Sequence, residues 1–180
     1  MTVVHAPAAQ HLAAWSELPS ALGPLLLGTD GTALTCVFFD GHRSAGRADP
    51  RAERLRQSTD RDDTHPVLAA AREQLEDYLA RRLRTFDLPI APAGSPFQQR
   101  VWAALVEIPY GRTATYGDVA LRLGLPVGAA RAVGLANGQN PISIVVPCHR
   151  VVGAAGALTG YAGGLERKRS LLDLERDLLF

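Results

Sequence analysis

Hydrophobic residues change their spacing several times along this chain, and each change predicts an element. Near the N-terminus, Pro24-Leu25-Leu26-Leu27 and Ala33-Leu34-Thr35-Cys36-Val37-Phe38-Phe39 are apolar runs separated by the turn dipeptide Asp30-Gly31, the pattern of a β-hairpin. Residues 40–64 hold Arg, Asp, Gly and Ser with almost no large apolar side chain, which predicts an exposed loop. Between 66 and 82, Leu68, Ala71, Leu75, Tyr78 and Leu79 recur at helical spacing, so one amphipathic helix covers the sheet. The Pro/Gly/Ala segment 89–94 reads as a linker. It divides the chain into an α/β domain, 1–92, and a second domain, 93–180.

The second domain opens with a helix start. Ser95 can cap, Pro96 fits the first helical position, and Gln98 can reach back to the cap, ahead of an apolar stripe of Phe97, Val101, Trp102 and Leu105. A short helix from Thr115, with Asp118 three residues on, stops at Gly124 before Pro126. A second, about 127–137, is almost all Gly and Ala apart from Arg131, Val133 and Leu135. Two short helices around a Gly/Pro turn form a helix-turn-helix pattern. The small side chains of the second allow either close approach to a partner or tight helix packing.

Composition narrows the class. With 180 residues, 47% hydrophobic and 21% charged, the chain has the profile of an ordinary globular fold. No run approaches the roughly 20 apolar residues of a membrane span, and no basic, then apolar leader stands at the N-terminus, so a cytoplasmic location is expected. The net charge of +1 hides an asymmetry: residues 108–165 carry Arg112, Arg122, Arg131 and Arg150 against the single acid Asp118, a weak sign of a polyanionic partner. Cys36 and Cys148 stand alone, without a CxxC or Cys/His cluster, and neither a disulfide nor a metal is expected.

The chemistry concentrates around Cys148. The apolar run 142–146 predicts a buried strand that ends at Pro147-Cys148-His149-Arg150 and continues into Val151-Val152. A thiol attacks only as the thiolate, which needs a base or positive charge, and His149 and Arg150 adjoin it. From the tetrapeptide alone an inert core thiol is the commoner reading. Cys36, inside an apolar run with neither neighbour, reads as inert. In the C-terminal helix, Glu175 has Leu171, Leu172, Leu178 and Leu179 three and four residues away. It is therefore either a carboxylate in need of a buried partner, such as His149, or an edge residue that reaches water. The glycine-rich run Thr159-Gly160-Tyr161-Ala162-Gly163-Gly164 matches no phosphate-binding fingerprint.

Taken in order, these residues resemble the O6-alkylguanine-DNA alkyltransferases. The likeness is carried by Asn140-Pro141, the run 142–146, Pro147-Cys148-His149-Arg150-Val151-Val152, Gly160-Tyr161-Ala162-Gly163-Gly164 and Glu175. Upstream it extends through Phe97-Gln98-Gln99-Arg100-Val101-Trp102, Tyr110-Gly111, Thr115-Tyr116 and Ala129-Ala130-Arg131-Ala132-Val133-Gly134. It spans essentially all of 95–176; the N-terminal part is similar only in Gly23-Pro24-Leu25 and the hairpin-then-helix order.

The resemblance implies an α/β (α+β) chain: a ribonuclease H-like small sheet with a covering helix, then a mostly helical, winged-helix-like domain with a helix-turn-helix. It implies a monomer, without cofactor, that binds duplex DNA from the minor groove, flips an alkylated guanine and transfers the alkyl group irreversibly to Cys148, once per molecule. Activity on alkylated thymine stays open. His149, polarised by Glu175, would take the thiol proton through a water; Asn140 would hold the turn presenting the cysteine; Tyr116 would donate toward the guanine. Val151, Tyr161, Ala162 and Gly163 would form the base pocket, and Arg131 would enter the base stack from a helix whose Ala129, Ala130 and Gly134 lie against the groove. Some relatives carry serine where Ala162 stands, or an N-terminal zinc site whose spacing is missing here. The non-catalytic alkyltransferase-like proteins have tryptophan in place of Cys148. Two rivals remain: a module that binds alkylated DNA without repairing it, and a cysteine hydrolase using Cys148 and His149.

Overall fold

The computed structural model describes residues 12–44, 47–126 and 128–176. Strand β1 (Ala14–Leu18) alternates buried and half-buried residues and pairs antiparallel with β2 (Leu25–Thr29), which pairs antiparallel with β3 (Leu34–Phe39). The Asp30 carboxylate closes the β2–β3 turn by accepting from the backbone N–H of Thr32 and Ala33. A ribbon of β4 (Arg43–Ser44) and β5 (Arg47–Ala48), helix α1 (Pro50–Ser58) and β6 (Asp60–Arg61) follow, and β6 lies parallel to β1. The sheet order is β3-β2-β1-β6. Helix α2 (Pro66–Leu79) lays Leu68, Ala71, Leu75 and Tyr78 on one face of the sheet.

The exposed loop expected at 40–64 is corrected by α1. Asp49 caps it by accepting from the N–H of Arg51, Pro50 starts it, and Leu55 is its one fully buried side chain. A single leucine is too little for a periodicity signal, yet it closes a small second core against Leu26, Cys36 and Phe38. Alternation does the rest: Leu25, Leu27, Val37 and Phe39 face the main core and Leu26, Cys36 and Phe38 face α1, while Leu34, beyond an irregularity in the β2–β3 register, joins the main core. Strand β1 had no reading in the sequence at all, because Ala14-Trp15-Ser16-Glu17-Leu18 carries few β-branched residues.

The edge of β3 is where the two parts of the chain are joined. Segment 89–94 does not run free: Leu34 donates its N–H to Pro89 O at 2.9 Å, and Ala91 donates to Leu34 O at 2.9 Å. Further along the same edge, Val37 N–H donates to Pro141 O at 2.9 Å and Ser143 N–H to Val37 O at 3.1 Å. The strand edge is thereby occupied, and the segment that leads to Cys148 is anchored to the N-terminal sheet.

Helix α3 (Pro96–Val106) begins with the expected capping box between Ser95 and Gln98. It buries Gln99, Val101, Trp102 and Leu105, while Phe97 is half-buried. Strand β7 (Ala114–Thr115) leads into α4 (Tyr116–Arg122), capped reciprocally by Thr115 and Asp118, and α5 (Ala130–Gly138) packs against α4 and α3. The helix expected from 127 starts at Ala130, behind Gly128 at φ +98°. Residue 127 lies outside the described residues. Strand β8 (Val151–Val152) pairs parallel with β7, and α6 (Leu165–Glu175) returns across the thiol-bearing turn. Among the described residues no helix is long and apolar enough to cross a membrane.

Candidate active site

The segment before the cysteine is a turn rather than the expected strand. Only Ile142 bridges a strand, and Ile144 adopts φ +71°. The cause lies in Asn140, whose side chain takes over a strand neighbour's role. Its amide donates to Ile142 O at 3.3 Å and Val146 O at 2.9 Å, and its carbonyl accepts from Ile142 N–H at 3.0 Å. Pro141 and Pro147 bracket the turn and bring no N–H that must be paired. Cys148 therefore starts a one-turn 3-10 helix (Cys148–Arg150), with its N–H donated to Val146 O at 2.8 Å and its carbonyl accepting from Asn137 Nδ2 at 3.4 Å.

Glu175 reaches this turn from α6 and is 1% exposed. Its oxygens accept from Arg150 Nε at 2.9 Å and Nη2 at 2.8 Å, from Tyr78 Oη at 2.7 Å and from Gly111 N–H at 3.1 Å, and Oε1 lies 2.9 Å from His149 Nε2. Arg150 Nη1 also donates to Ile108 O at 2.7 Å. Burial alone would raise the Glu175 pKa, but the His149 and Arg150 hydrogen bonds outweigh it and hold the carboxyl well below its usual range. Burial pushes the His149 pKa down, against the opposing pull of Glu175, so the ring is neutral near pH 7. A neutral imidazole facing a carboxylate carries its proton on Nε2. That tautomer leaves Nδ1 basic, and Nδ1 is buried without a hydrogen-bond partner among the described residues.

Cys148 is 3% exposed. Burial raises its pKa, whereas the Asn140 amide and the Lys168 charge act in the opposite sense. The thiol thus rests neutral and depends on a base, the opposite of a preformed thiolate.

A cavity of about 440 Å³ opens between α4, α5 and the glycine-rich loop, lined by Tyr116, Gly134, Leu135, Tyr161 and Ala162 among others. That is within the range of small-ligand pockets, roughly 300–1,000 Å³. Burial raises the Tyr116 and Tyr161 phenols, and both lie near enough to Cys148 for a charge there to raise them further. The Tyr116 hydroxyl donates to Thr159 O at 3.3 Å. A slightly larger cleft of about 480 Å³ lies behind Glu175, lined by Arg169, Asp173 and Arg176 together with Val152, Leu158 and Leu172.

The structure brings together Cys148, His149, Glu175 and Asn140, and places Tyr116, Tyr161, Ala162 and Gly134 around the neighbouring cavity. Two expected pocket residues do not line it. Val151 is fully buried, and Gly163 packs beneath Phe39, where an added Cβ would approach the ring to 2.7 Å. Arg131 is exposed on α5, Ala129 caps that helix, and Ala130 lines a separate 220 Å³ hollow beside Leu121. Sequence reasoning missed Tyr78, Asn137, Lys168 and the true partner of Arg150. Lys168 was findable: it precedes Glu175 by two helical turns on the same face, next to Leu171. Tyr78 and Arg150 approach Glu175 across 97 and 25 residues of chain, a distance no local pattern spans.

Fold and site together set a buried cysteine and a buried, carboxylate-paired imidazole in one turn beside a helix-turn-helix. Residues 96–177 match the family model described as the DNA-binding domain of 6-O-methylguanine DNA methyltransferase. A methylated-DNA–protein-cysteine methyltransferase of Mycobacterium tuberculosis is 46% identical over 167 residues, covering 90% of this chain and 92% of that protein. One of Methanosarcina acetivorans is 48% identical over 157 residues, covering 87% and 94%. A Mycobacterium tuberculosis protein solved in complex with DNA superimposes with TM-score 0.79 at 46% identity, over 90% of this chain and 92% of that one. The chain belongs to the methylated-DNA–protein-cysteine methyltransferase family.

Proposed function

We propose that the chain repairs DNA by direct reversal, moving the alkyl group of O6-alkylguanine onto Cys148. The observation that carries the reading is the His149–Glu175 pair, which leaves a buried, unpartnered Nδ1 on the residue that follows a buried thiol. His149 accepts the thiol proton, directly or through one water. The sulfur attacks the alkyl carbon, the S–C bond forms as the C–O6 bond breaks, and the electron pair leaves with the guanine. Tyr116 turns its hydroxyl toward the base as negative charge develops there. Overall the thiol proton replaces the alkyl group on the guanine, and Cys148 becomes a thioether. No group in this scheme removes the alkyl from sulfur, so each molecule acts once.

A duplex keeps its O6 groups inside the stack, so the nucleotide must be extruded, at a cost of a few kcal/mol. Arg131 fills the vacated position from α5. The small residues Ala129, Ala130 and Gly134 bring that helix against the minor groove, where there is little base identity to read and none is needed. The protein acts as a monomer on duplex carrying alkylated guanine.

Duplex bearing a tritiated O6-methyl group tests the reading. Counts are expected to pass from DNA to protein at one methyl per molecule and then stop. Continued repair at catalytic amounts of protein would indicate a turning-over hydrolase, and retention of the label on DNA a binding module.

A further inference from the structure

Lys168 is a lysine with 0% exposure in a site whose other charges are matched to one another. Its Nζ donates to Val151 O at 2.6 Å and to Thr159 O at 2.8 Å, and no carboxylate is paired with it among the described residues. A buried ammonium without a counter-ion is costly, and such groups are kept where chemistry uses them. Arg150 already neutralises Glu175, so neither supplies the missing charge.

We propose that Lys168 is a positioning residue for the transfer: its buried ammonium ties the Val151 and Thr159 carbonyls together and stands as counter-charge to the thiolate formed at Cys148. The assignment rests on the transfer reading above. Val151 directly follows the turn that holds the thiol, and its N–H donates to Cys148 O. Thr159 O accepts from both Lys168 and Tyr116. When Tyr116 turns to the guanine, Lys168 keeps that carbonyl paired.

The groups that sense the ammonium are Cys148 and His149 on the cysteine turn, with Tyr116 linked to it through Thr159; on α6 itself Arg167, Arg169 and Glu175 are the charged residues nearest in sequence or on its face. Burial lowers the Lys168 pKa to about 8, opposed by Cys148, so the charge is present at neutral pH and, together with the Asn140 amide, favours a thiolate without taking its proton.

The test needs no DNA. Wild type, Lys168→Met and Lys168→Arg are alkylated with iodoacetamide across a range of pH, and carboxamidomethylation of the Cys148 peptide is followed by mass spectrometry. Lys168→Met is expected to react about tenfold more slowly at neutral pH, with its rate rising only at higher pH, the equivalent of about one pKa unit. Lys168→Arg keeps the charge and is expected to stay within about threefold of wild type. A lysine that only staples the fold would leave the pH dependence of alkylation unmoved, and that result would overturn the assignment. If Lys168→Met does not fold, the arginine variant decides: folded protein slowed as much as tenfold would overturn it equally. Failure of the transfer reading has a different signature, a wild-type chain that reacts normally with iodoacetamide and takes no methyl group from duplex.

Discussion

Cys36 and Cys148 are both buried and both free of a disulfide, one within β3 and the other at the start of the turn that leads into β8, and their surroundings differ. Around Cys36 the apolar neighbours are Leu26, Phe38 and Leu55, and burial pushes its pKa up to about 12, outweighing the Thr35 hydroxyl and the Arg51 charge. Around Cys148 an amide, an imidazole, a carboxylate and an ammonium are brought in from α5, α6 and the turn itself. Burial raises both thiols, and at Cys148 polar groups delivered by distant parts of the chain oppose it.

Removing the nucleophile breaks this contrast most severely. Cys148→Ala is expected to abolish methyl transfer while keeping DNA binding, measured by electrophoretic mobility shift, and Cys36→Ala to leave transfer unchanged. Loss of transfer in the Cys36 variant would dissolve the distinction. The next largest effect belongs to Glu175→Gln, which leaves Arg150 buried without its carboxylate and His149 without its orienting partner. Transfer is expected to fall about 100-fold and stability by about 3–5 kcal/mol in chemical denaturation; an unaffected rate would mean that the imidazole needs no carboxylate.

Arg131→Ala sharpens the comparison from the DNA side. With extrusion costing a few kcal/mol, its loss is expected to slow repair of duplex by about tenfold or more and reaction with free O6-methylguanine by less than about twofold. Equal slowing of both substrates would contradict its place in the stack. The smallest effect is on pH stability. The folded pKa of His149 lies below its ordinary 6.5, and that of Glu175 below 4.5, so the unfolded chain binds both protons more tightly. Stability from the pair is complete above 6.5, declines as pH falls through that value, and declines again below 4.5. Thermal melts of wild type and His149→Gln are expected to converge in the acid range.

What the sequence disclosed follows the reach of each interaction. The capping boxes at Ser95–Gln98 and Thr115–Asp118 close within four residues, and both were legible. The Leu68–Tyr78 stripe repeats, so α2 was legible as well. Helix α1 was hidden because one leucine makes no period, and the 142–146 turn was hidden because its apolar composition imitates a strand while Asn140 imposes the fold from outside it. Glu175 was visible as a misplaced carboxylate, but its tie to Arg150 and Tyr78 exists only after α2 and α6 meet over the cysteine turn.

The most direct test of the central claim is to react the chain with excess duplex carrying O6-methylguanine, digest it, and weigh the peptides that contain each cysteine. The account predicts one added methyl group on the Cys148 peptide, none on the Cys36 peptide, and no further repair after one base per protein. Methyl on Cys36, or repaired DNA with both peptides unmodified, would contradict it.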